Sequence, residues 1–330
     1  DFVSEDYNIT DANLLGTLLY NIGNIIQTHY HDVIYAWVRS YDSFYRGASD
    51  GVIHVSGLKK DGTSVFINNY TSFEKGWEAA VNLAVDHDYM DANKYDRIVV
   101  DLFAHWKANH EGEFGDSDGL GFRQSTIYVP DSARVMLNMN GHTIDRGLGD
   151  NNELDGEVIC IEEDSDVIIN GGKNGDAIVM ADVEKTTAQF GTIKGGNSDN
   201  GAGGIHIQDD AKVTLNNVKI VGNVADGDDG GGIAMYDHAS LIMNGGSFQN
   251  NIACGETLNA YGGAIYINDG TATFNGVTFK NNVVKEDNHY GAAIYADDSE
   301  VIINECIFDG NGVEDAATGA LAATSTIRFK

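Results

Sequence analysis

Acidic side chains recur at one fixed place in a repeated pattern, four residues after the start of an apolar-x-apolar motif such as Ile265-x-Ile267. A line of carboxylates offers the hard oxygen ligands that Ca²⁺ prefers, so the pattern could form a row of weak calcium sites. The same carboxylates could instead accept backbone N–H groups within their own turns. The residues of this acidic ladder are Asp131, Glu163, Asp209, Asp237, Asp269 and Asp298.

A second set of residues combines aromatic rings with polar side chains. They alternate with the apolar anchors of the first predicted strand in each repeat, or follow just downstream, and therefore face outward. Aromatic rings beside carboxylates and amides stack on sugar rings and hydrogen-bond their hydroxyl groups. We predict a glycan-binding surface here, although tyrosine also suits strands for structural reasons alone. Its residues are Tyr128, His206, Tyr236, Tyr266, Asn268, Tyr295 and Asp297.

Carboxylates are also concentrated in the loops that join the third strand of one repeat to the first strand of the next. The loop at 150–157 resembles a calcium loop, although it does not complete the residue order of an EF-hand. Calcium is therefore a candidate cofactor, and no cofactor is certain. The candidate ligands are Asp150, Asn152, Glu153, Asp155, Asp226 and Asp228.

The spacing of the anchors defines the elements that must position these residues. The anchors recur every 28 to 32 residues apart from one 46-residue interval, which indicates a solenoid. Three short alternating segments per repeat predict three strands and leave no room for a crossover helix. Neighbouring repeats then stack ~4.8 Å apart as coils of a parallel β-helix. An apolar-Asn pair in each repeat predicts a ladder of stacked amides at Asn138, Asn170, Asn216, Asn244, Asn275 and Asn304.

The first part of the chain lacks this repeat. We predict an N-terminal cap of helices and short strands over 1–96 and a β-helix over 97–330, with one cap helix at 11–27. The box Thr71-x-x-Glu74 predicts the start of a second helix that covers the apolar end of the column. The last repeat stops within a strand, so we expect the natural protein to continue. The buried face of the second helix would be Trp77, Ala80, Val81 and Ala84.

Charge and composition exclude several classes of partner. The formal charge is 20 − 50 = −30, so nucleic acid and anionic membrane would be repelled unless cations intervened. No stretch approaches the ~20 apolar residues that span a bilayer, which argues against direct membrane insertion. Cys160, Cys254 and Cys306 are too few and too scattered for a disulfide framework. The oligomeric state is left open.

Two short motifs carry a resemblance to known proteins. Phe-x-x-Asn occurs at Phe248–Asn251, Phe279–Asn282 and Phe308–Asn311, and Gly-Gly-Ala-Ile begins at Gly262 with a degraded copy at Gly291. These motifs resemble polymorphic outer-membrane-protein and autotransporter adhesin repeats, and the wider pectate-lyase-like superfamily. The resemblance implies an all-β, single-stranded, right-handed parallel β-helix with Phe stacked inside and Asn ladders in its turns. It also implies a secreted or bacterial cell-surface protein.

The leading functional hypothesis is an extracellular, non-catalytic adhesin that binds a glycan or another host-surface ligand, with calcium as a candidate stabiliser. The alternative is a polysaccharide-cleaving hydrolase or lyase, since neighbouring coils can place two carboxylates ~5–10 Å apart. Its candidate catalytic residues are Asp228, Asp229 and Asp237. The motifs of pectate lyases and polygalacturonases are otherwise missing from the sequence, and anionic pectin would meet a surface of its own sign. A passive structural stalk is the third hypothesis.

Overall fold

The computed structural model describes most of the repeat region and the second part of the predicted cap. The predicted helix at 11–27 and the candidate ligands Asp150, Asn152 and Glu153 lie outside the described residues. The described residues are 53–108, 121–123, 125–148, 155–173, 189–255, 260–285, 290–313, 319–324 and 326–329.

The longest sheet, here the ladder sheet, contains one strand from each coil and two antiparallel strands from the cap. Its coil strands pair in parallel and in register, so that Ile169 lies opposite Leu215 and both are buried. Stacked coils of a parallel β-helix are thereby confirmed. Numbered in chain order, its strands are β1 Ile53–Lys59, β2 Ser64–Tyr70, β3 Tyr95–Leu102, β7 Arg134–Asn138, β10 Asp166–Asn170, β14 Lys212–Asn216, β18 Ser240–Asn244, β22 Thr271–Asn275, β26 Glu300–Asn304 and β30 Thr326–Phe329.

The first-strand sheet is formed by the apolar-x-apolar anchors. Ile233 pairs with Ile265, and Ile265 with Ile294, and all three side chains are buried. The residues between the anchors point away from the core, because successive side chains of a strand alternate between the two faces. Its strands are β5 Phe122–Arg123, β6 Thr126–Val129, β9 Ile159–Ile161, β13 Ile205–Ile207, β17 Ile233–Met235, β21 Ile265–Asn268, β25 Ile294–Asp297 and β29 Leu321–Ala323.

The third strand of each coil forms the phenylalanine sheet. Phe248 and Phe279 stack with ring centroids 5.1 Å apart, and Phe279 and Phe308 with centroids 4.8 Å apart. The internal phenylalanine stack implied by the family resemblance is therefore confirmed. Its strands are β4 Trp106–Lys107, β8 Thr143–Asp145, β11 Gly191–Lys194, β15 Val218–Val221, β19 Ser247–Gln249, β23 Thr278–Lys280 and β27 Ile307–Asp309.

A fourth, short sheet was not predicted. It lies in the loops between the third strand of one coil and the first of the next, where only two or three residues per coil pair with their neighbours. The middle residue of each three-residue strand in this sheet is buried, such as Ala253 or Val284. Such short segments show no readable alternation in the sequence. Its strands are β12 Asn197–Ser198, β16 Val224–Asp226, β20 Ile252–Cys254, β24 Val283–Lys285 and β28 Gly312–Val313.

Two helices cover one end of the column, α1 at Phe73–Val85 and α2 at His87–Asn93. The helix predicted from the capping box is thus present, but its N-cap is Ser72 rather than Thr71, and the Ser72 side chain accepts from the backbone N–H of Lys75. Neither helix of the described chain is both long and apolar enough to cross a bilayer. The predicted buried face is confirmed for Trp77, Ala80, Val81 and Ala84.

The predicted amide ladder runs along the outer edge of the ladder sheet. Each Asn donates from Nδ2 to Oδ1 of the Asn in the preceding coil, with separations of 2.6 to 2.9 Å. The first member, Asn138, donates to the buried carboxylate of Asp101 at 2.8 Å. The prediction is confirmed for Asn138, Asn170, Asn216, Asn244, Asn275 and Asn304.

A second amide ladder lies inside the column, beside the phenylalanine stack, and we call it the inner ladder. Asn223, Asn251 and Asn282 have no solvent-exposed surface, and each donates to the Asn of the following coil. Asn251 Oδ1 also accepts from the backbone N–H of Asn223, and its Nδ2 donates to the Ile220 carbonyl oxygen at 2.9 Å. The inner ladder therefore satisfies backbone groups as well as its own amides. Its members are Asn223, Asn251, Asn282 and Asn311.

Candidate functional site

The first-strand sheet brings most of the predicted glycan-binding residues together on its outer face. Tyr266 lies directly opposite Ala234 on one side and Tyr295 on the other. A second outward row lies nearer the carboxyl ends of the strands, where Asn268 is opposite Asp297 and Tyr236 follows β17. The repeat length places these side chains side by side although they are far apart in sequence.

Two further tyrosines, Tyr261 and Tyr290, belong to this surface but were not among the residues predicted from the sequence. Each precedes a glycine of the turn before the first strand, and those glycines have φ values of +66° and +69°. Tyr261 and Tyr290 form a parallel bridge across adjacent coils. The sequence signal for them is the Tyr-Gly pair that recurs in these two coils, and this pair lies outside the predicted strands.

The aromatic rings form one continuous group, which we call the tyrosine face. Ring centroids are 4.4 Å apart for Tyr261 and Tyr295, 5.7 Å for Tyr266 and Tyr295, and 5.6 Å for Tyr236 and Tyr266. Tyr290 is 44% exposed, whereas Tyr266 in the middle is 8% exposed. The central ring is thus covered by its neighbours, and the outer rings meet solvent. The tyrosine face comprises His206, Tyr236, Tyr261, Tyr266, Tyr290 and Tyr295.

Carboxylates border the tyrosine face at the amino-terminal side of the strands. Asp228 Oδ1 accepts from the backbone N–H of Asp229 at 2.8 Å, and Asp229 Oδ1 accepts from the backbone N–H of Tyr261 at 2.6 Å. Burial and the neighbouring Asp228 charge raise the pKa of Asp229 to about 7, against a smaller lowering by the Tyr261 N–H. Asp229 therefore changes charge near neutral pH.

The raised pKa of Asp229 can be tested through the pH dependence of protein stability. A raised pKa means that the folded state binds the proton more tightly than the unfolded state, so stability falls as pH rises from about 4 to about 7. Asp229→Asn keeps the oxygen that accepts from Tyr261 and removes the titration. We expect the variant to be more stable than the wild type by about 4 kcal/mol at pH 8 and equal to it at pH 4, measured by urea unfolding.

The neighbouring variant Asp228→Asn is the control for that experiment. It removes the second cause of the raised pKa of Asp229 but leaves Asp229 buried. We therefore expect protein stability still to fall as pH rises, with the fall complete at a lower pH than in the wild type. Parallel stability curves for Asp229→Asn and the wild type at all pH values would contradict the assignment of a raised pKa to Asp229.

Polar groups also border the face at the carboxyl ends of the strands. The Asn268 amide donates to the Tyr266 hydroxyl at 3.2 Å, and the Thr324 hydroxyl donates to the Asp297 carboxylate. Burial raises the pKa of Tyr266 to about 12, with the Asp229 charge contributing. Burial, followed by the Asp297 charge, raises the pKa of Tyr295 as well. The hydroxyl groups of Tyr266 and Tyr295 therefore remain protonated and can donate hydrogen bonds at neutral pH.

Tyr128 is separated from the tyrosine face. Its aligned neighbour in the next coil is Cys160 rather than a tyrosine, and the ring is 5% exposed. The Arg123 guanidinium lies 3.6 Å from the ring centroid and forms an ion pair with Glu162 at 3.5 Å. Of the predicted glycan-binding residues, Tyr128 is thus already covered by the protein's own side chains. The six that share the continuous surface are His206, Tyr236, Tyr266, Asn268, Tyr295 and Asp297.

The acidic ladder lies in the turns at the other end of the first strands. The strand registers stack Asp131, Glu163, Asp209, Asp237, Asp269 and Asp298 in successive coils. In three coils the ladder residue itself has positive φ, +37° at Asp237, +48° at Asp269 and +44° at Asp298. Asp tolerates this left-handed conformation better than most residues, which explains the residue type in those turns.

Hydrogen bonds at this corner are made by the ladder backbone. The carbonyl oxygens of Glu163, Asp209 and Asp237 accept from backbone N–H groups of the preceding coil. This differs from the predicted turns in which the carboxylates accept. Asp237 belongs to this corner, at the opposite end of β17 from Asp228 and Asp229, so the three candidate catalytic residues do not form one group.

The predicted metal ligands are only partly described. Asp155 accepts from the backbone N–H of Asp199 at 2.7 Å, and burial is the main cause that raises its pKa to about 6. Asp226 accepts from the Cys254 thiol at 3.5 Å. Within the described residues, no three His, Cys, Asp or Glu side chains are grouped to hold a metal ion. A calcium site that includes the undescribed Asp150, Asn152 and Glu153 stays a prediction.

Comparison with known proteins agrees with the geometry. A family model described as a right handed beta helix region matches residues 157–329, slightly more than half of the chain. No curated protein and no solved structure matches the chain. The predicted right-handed β-helix is confirmed by this match together with the stacked parallel strands.

Proposed function

The chain belongs to the right-handed β-helix family, and on this premise we propose that it is an extracellular or cell-surface adhesion module whose tyrosine face binds a glycan. The observation that carries the proposal is the continuous group of rings, bordered by Asp228 and Asp229 on one side and by Asn268 and Asp297 on the other.

The composition of the face suits a saccharide. A sugar ring has apolar C–H faces that pack on aromatic rings and hydroxyl groups that need hydrogen-bond partners at their edges. Tyr290 and the half-buried Tyr261 and Tyr295 supply ring surface that reaches solvent. The carboxylates and the Asn268 amide lie where the edges of such a ring would lie. Tyr295, Asn268 and Asp297 lie on strands of stacked coils, which makes this part of the surface rigid before binding.

The proposal is tested with a glycan array, run with and without Ca²⁺, followed by affinity measurements on the best binder. Tyr290→Ala removes an exposed ring, and we expect about a tenfold loss of affinity, which corresponds to one stacking contact. The control is Phe66→Ala, which removes a comparably exposed ring on β2, outside the face, and should leave affinity unchanged. A folded protein that binds no saccharide on the array would contradict the proposed function.

A polysaccharide-cleaving activity is the second candidate, and Asp229 is the observation that favours it. A carboxyl group with a pKa of about 7 can serve as a general acid at neutral pH, and Asp228 supplies a second carboxylate beside it. Asp229→Asn would then abolish release of reducing ends from the cleaved polysaccharide, while Asp237→Asn would not. If the wild type releases no reducing ends from any polysaccharide that it binds, this candidate is excluded.

A further inference from the structure

The charge around the tyrosine face indicates what kind of saccharide it would hold. The charged groups that act on Tyr236, Tyr266 and Tyr295 are the carboxylates of Asp228, Asp229 and Asp297. The whole chain carries a formal charge of −30. An acidic saccharide would be repelled here, and a neutral one would gain nothing from the carboxylates beyond hydrogen bonds.

The same sheet already contains an occupied example of the arrangement. At Tyr128, the Arg123 guanidinium lies over the ring at 3.6 Å and pairs with the Glu162 carboxylate beside it. An aromatic ring next to a carboxylate is thus a site for a cation on this sheet, held by the ring quadrupole and by the opposite charge. In the described part of the chain, no lysine or arginine takes the corresponding place over a ring of the tyrosine face.

From this comparison we infer that the tyrosine face selects cationic saccharides, meaning amino sugars whose nitrogen is not acetylated, over neutral and acidic ones. The inference rests on the proposed function and narrows it. The sugar ring packs on Tyr261, Tyr290 and Tyr295, and its ammonium group lies towards Asp228 and Asp229 or towards Asp297. The interaction is non-covalent, and no bond is made or broken.

The test compares two saccharide oligomers of equal length by calorimetry at pH 8. One is a glucosamine hexamer with trimethylated nitrogen, which is cationic at every pH, and the other is the neutral N-acetylglucosamine hexamer. We expect the cationic hexamer to bind at least tenfold more tightly at low salt, with the difference shrinking as salt screens the charges. The preference should also weaken at pH 5.5, because Asp229 is protonated there and no longer attracts the cation. The titratable groups around Asp229 are the Asp228 carboxylate and the phenolic groups of Tyr236, Tyr261, Tyr266 and Tyr295.

Matched double variants separate this surface from the general acidity of the protein. Asp228→Asn with Asp229→Asn should reduce the preference to less than threefold. Asp209→Asn with Asp210→Asn removes the same number of adjacent charges from an exposed turn elsewhere and should leave the preference intact. Equal affinity for the two hexamers would overturn the inference and leave the proposed function standing. Equal losses in both double variants would also overturn it, whereas no saccharide binding at all would instead contradict the proposed function.

Discussion

Asn251→Ala should lower the free energy of unfolding by about 4 kcal/mol, because it leaves several buried groups without partners. The wild-type Oδ1 accepts from the backbone N–H and from Nδ2 of Asn223, and Nδ2 donates to the Ile220 carbonyl oxygen and to Asn282 Oδ1. Water cannot replace these bonds at a position with no exposed surface. Urea unfolding gives the total effect, and amide hydrogen exchange should show faster exchange at Asn223.

The control is Asn275→Ala, the same substitution in the predicted amide ladder at the edge of the ladder sheet, which we call the outer ladder. Asn275 also bonds to the Asn of both neighbouring coils, but it is only partly buried, so water can reach the groups that lose their partner. We expect a loss of about 1 kcal/mol there. If both substitutions cost the same, then burial is not what makes the inner ladder important.

Phe279→Ala should cost about 4 kcal/mol, since it removes the central ring of a stack and leaves a cavity in a column that cannot easily collapse. Phe279 has no exposed surface and lies between Phe248 and Phe308, with Phe274 at 5.3 Å in an edge-to-face contact. Thermal and urea unfolding would both report the loss.

Two further variants calibrate that result. Phe279→Leu keeps most of the volume and should cost about 1 kcal/mol. Phe308→Ala removes the last ring of the same stack, which is partly exposed, and should cost about half as much as Phe279→Ala. A loss below about 1.5 kcal/mol for Phe279→Ala would show that the coils can close around the missing ring.

The fold was predictable because a solenoid repeats its signals. Ile265 and its equivalents show the same spacing in coil after coil, and each Asn of the outer ladder follows an apolar residue at the same offset. Each repeat therefore supports the assignment of its neighbours. The fourth sheet had no such support, since a strand such as Val224–Asp226 is too short to show a period.

The candidate site was predictable only in part, because strand alternation says which way a side chain points but not what covers it. Tyr128 points outward as expected, yet Arg123 from the adjoining antiparallel strand lies over it. Tyr261 is not on a strand, and it lies beside Tyr295 just before the turn at Gly262, which has a φ of +66°. The raised pKa of Asp229 depends on burial, which no local pattern reveals.

The two asparagine ladders donate in opposite directions along the column. In the outer ladder the amide N–H groups point towards the cap and end on the Asp101 carboxylate, whereas in the inner ladder they point away from it. The dipoles of aligned amides add, so the dipole of either ladder alone would grow with each additional coil. Because the two ladders run in opposite directions, their dipoles largely cancel. Adding or removing one coil then leaves the electric field along the column axis nearly unchanged. A chain with one whole repeat added or removed would therefore keep the same electrostatic environment at both ends.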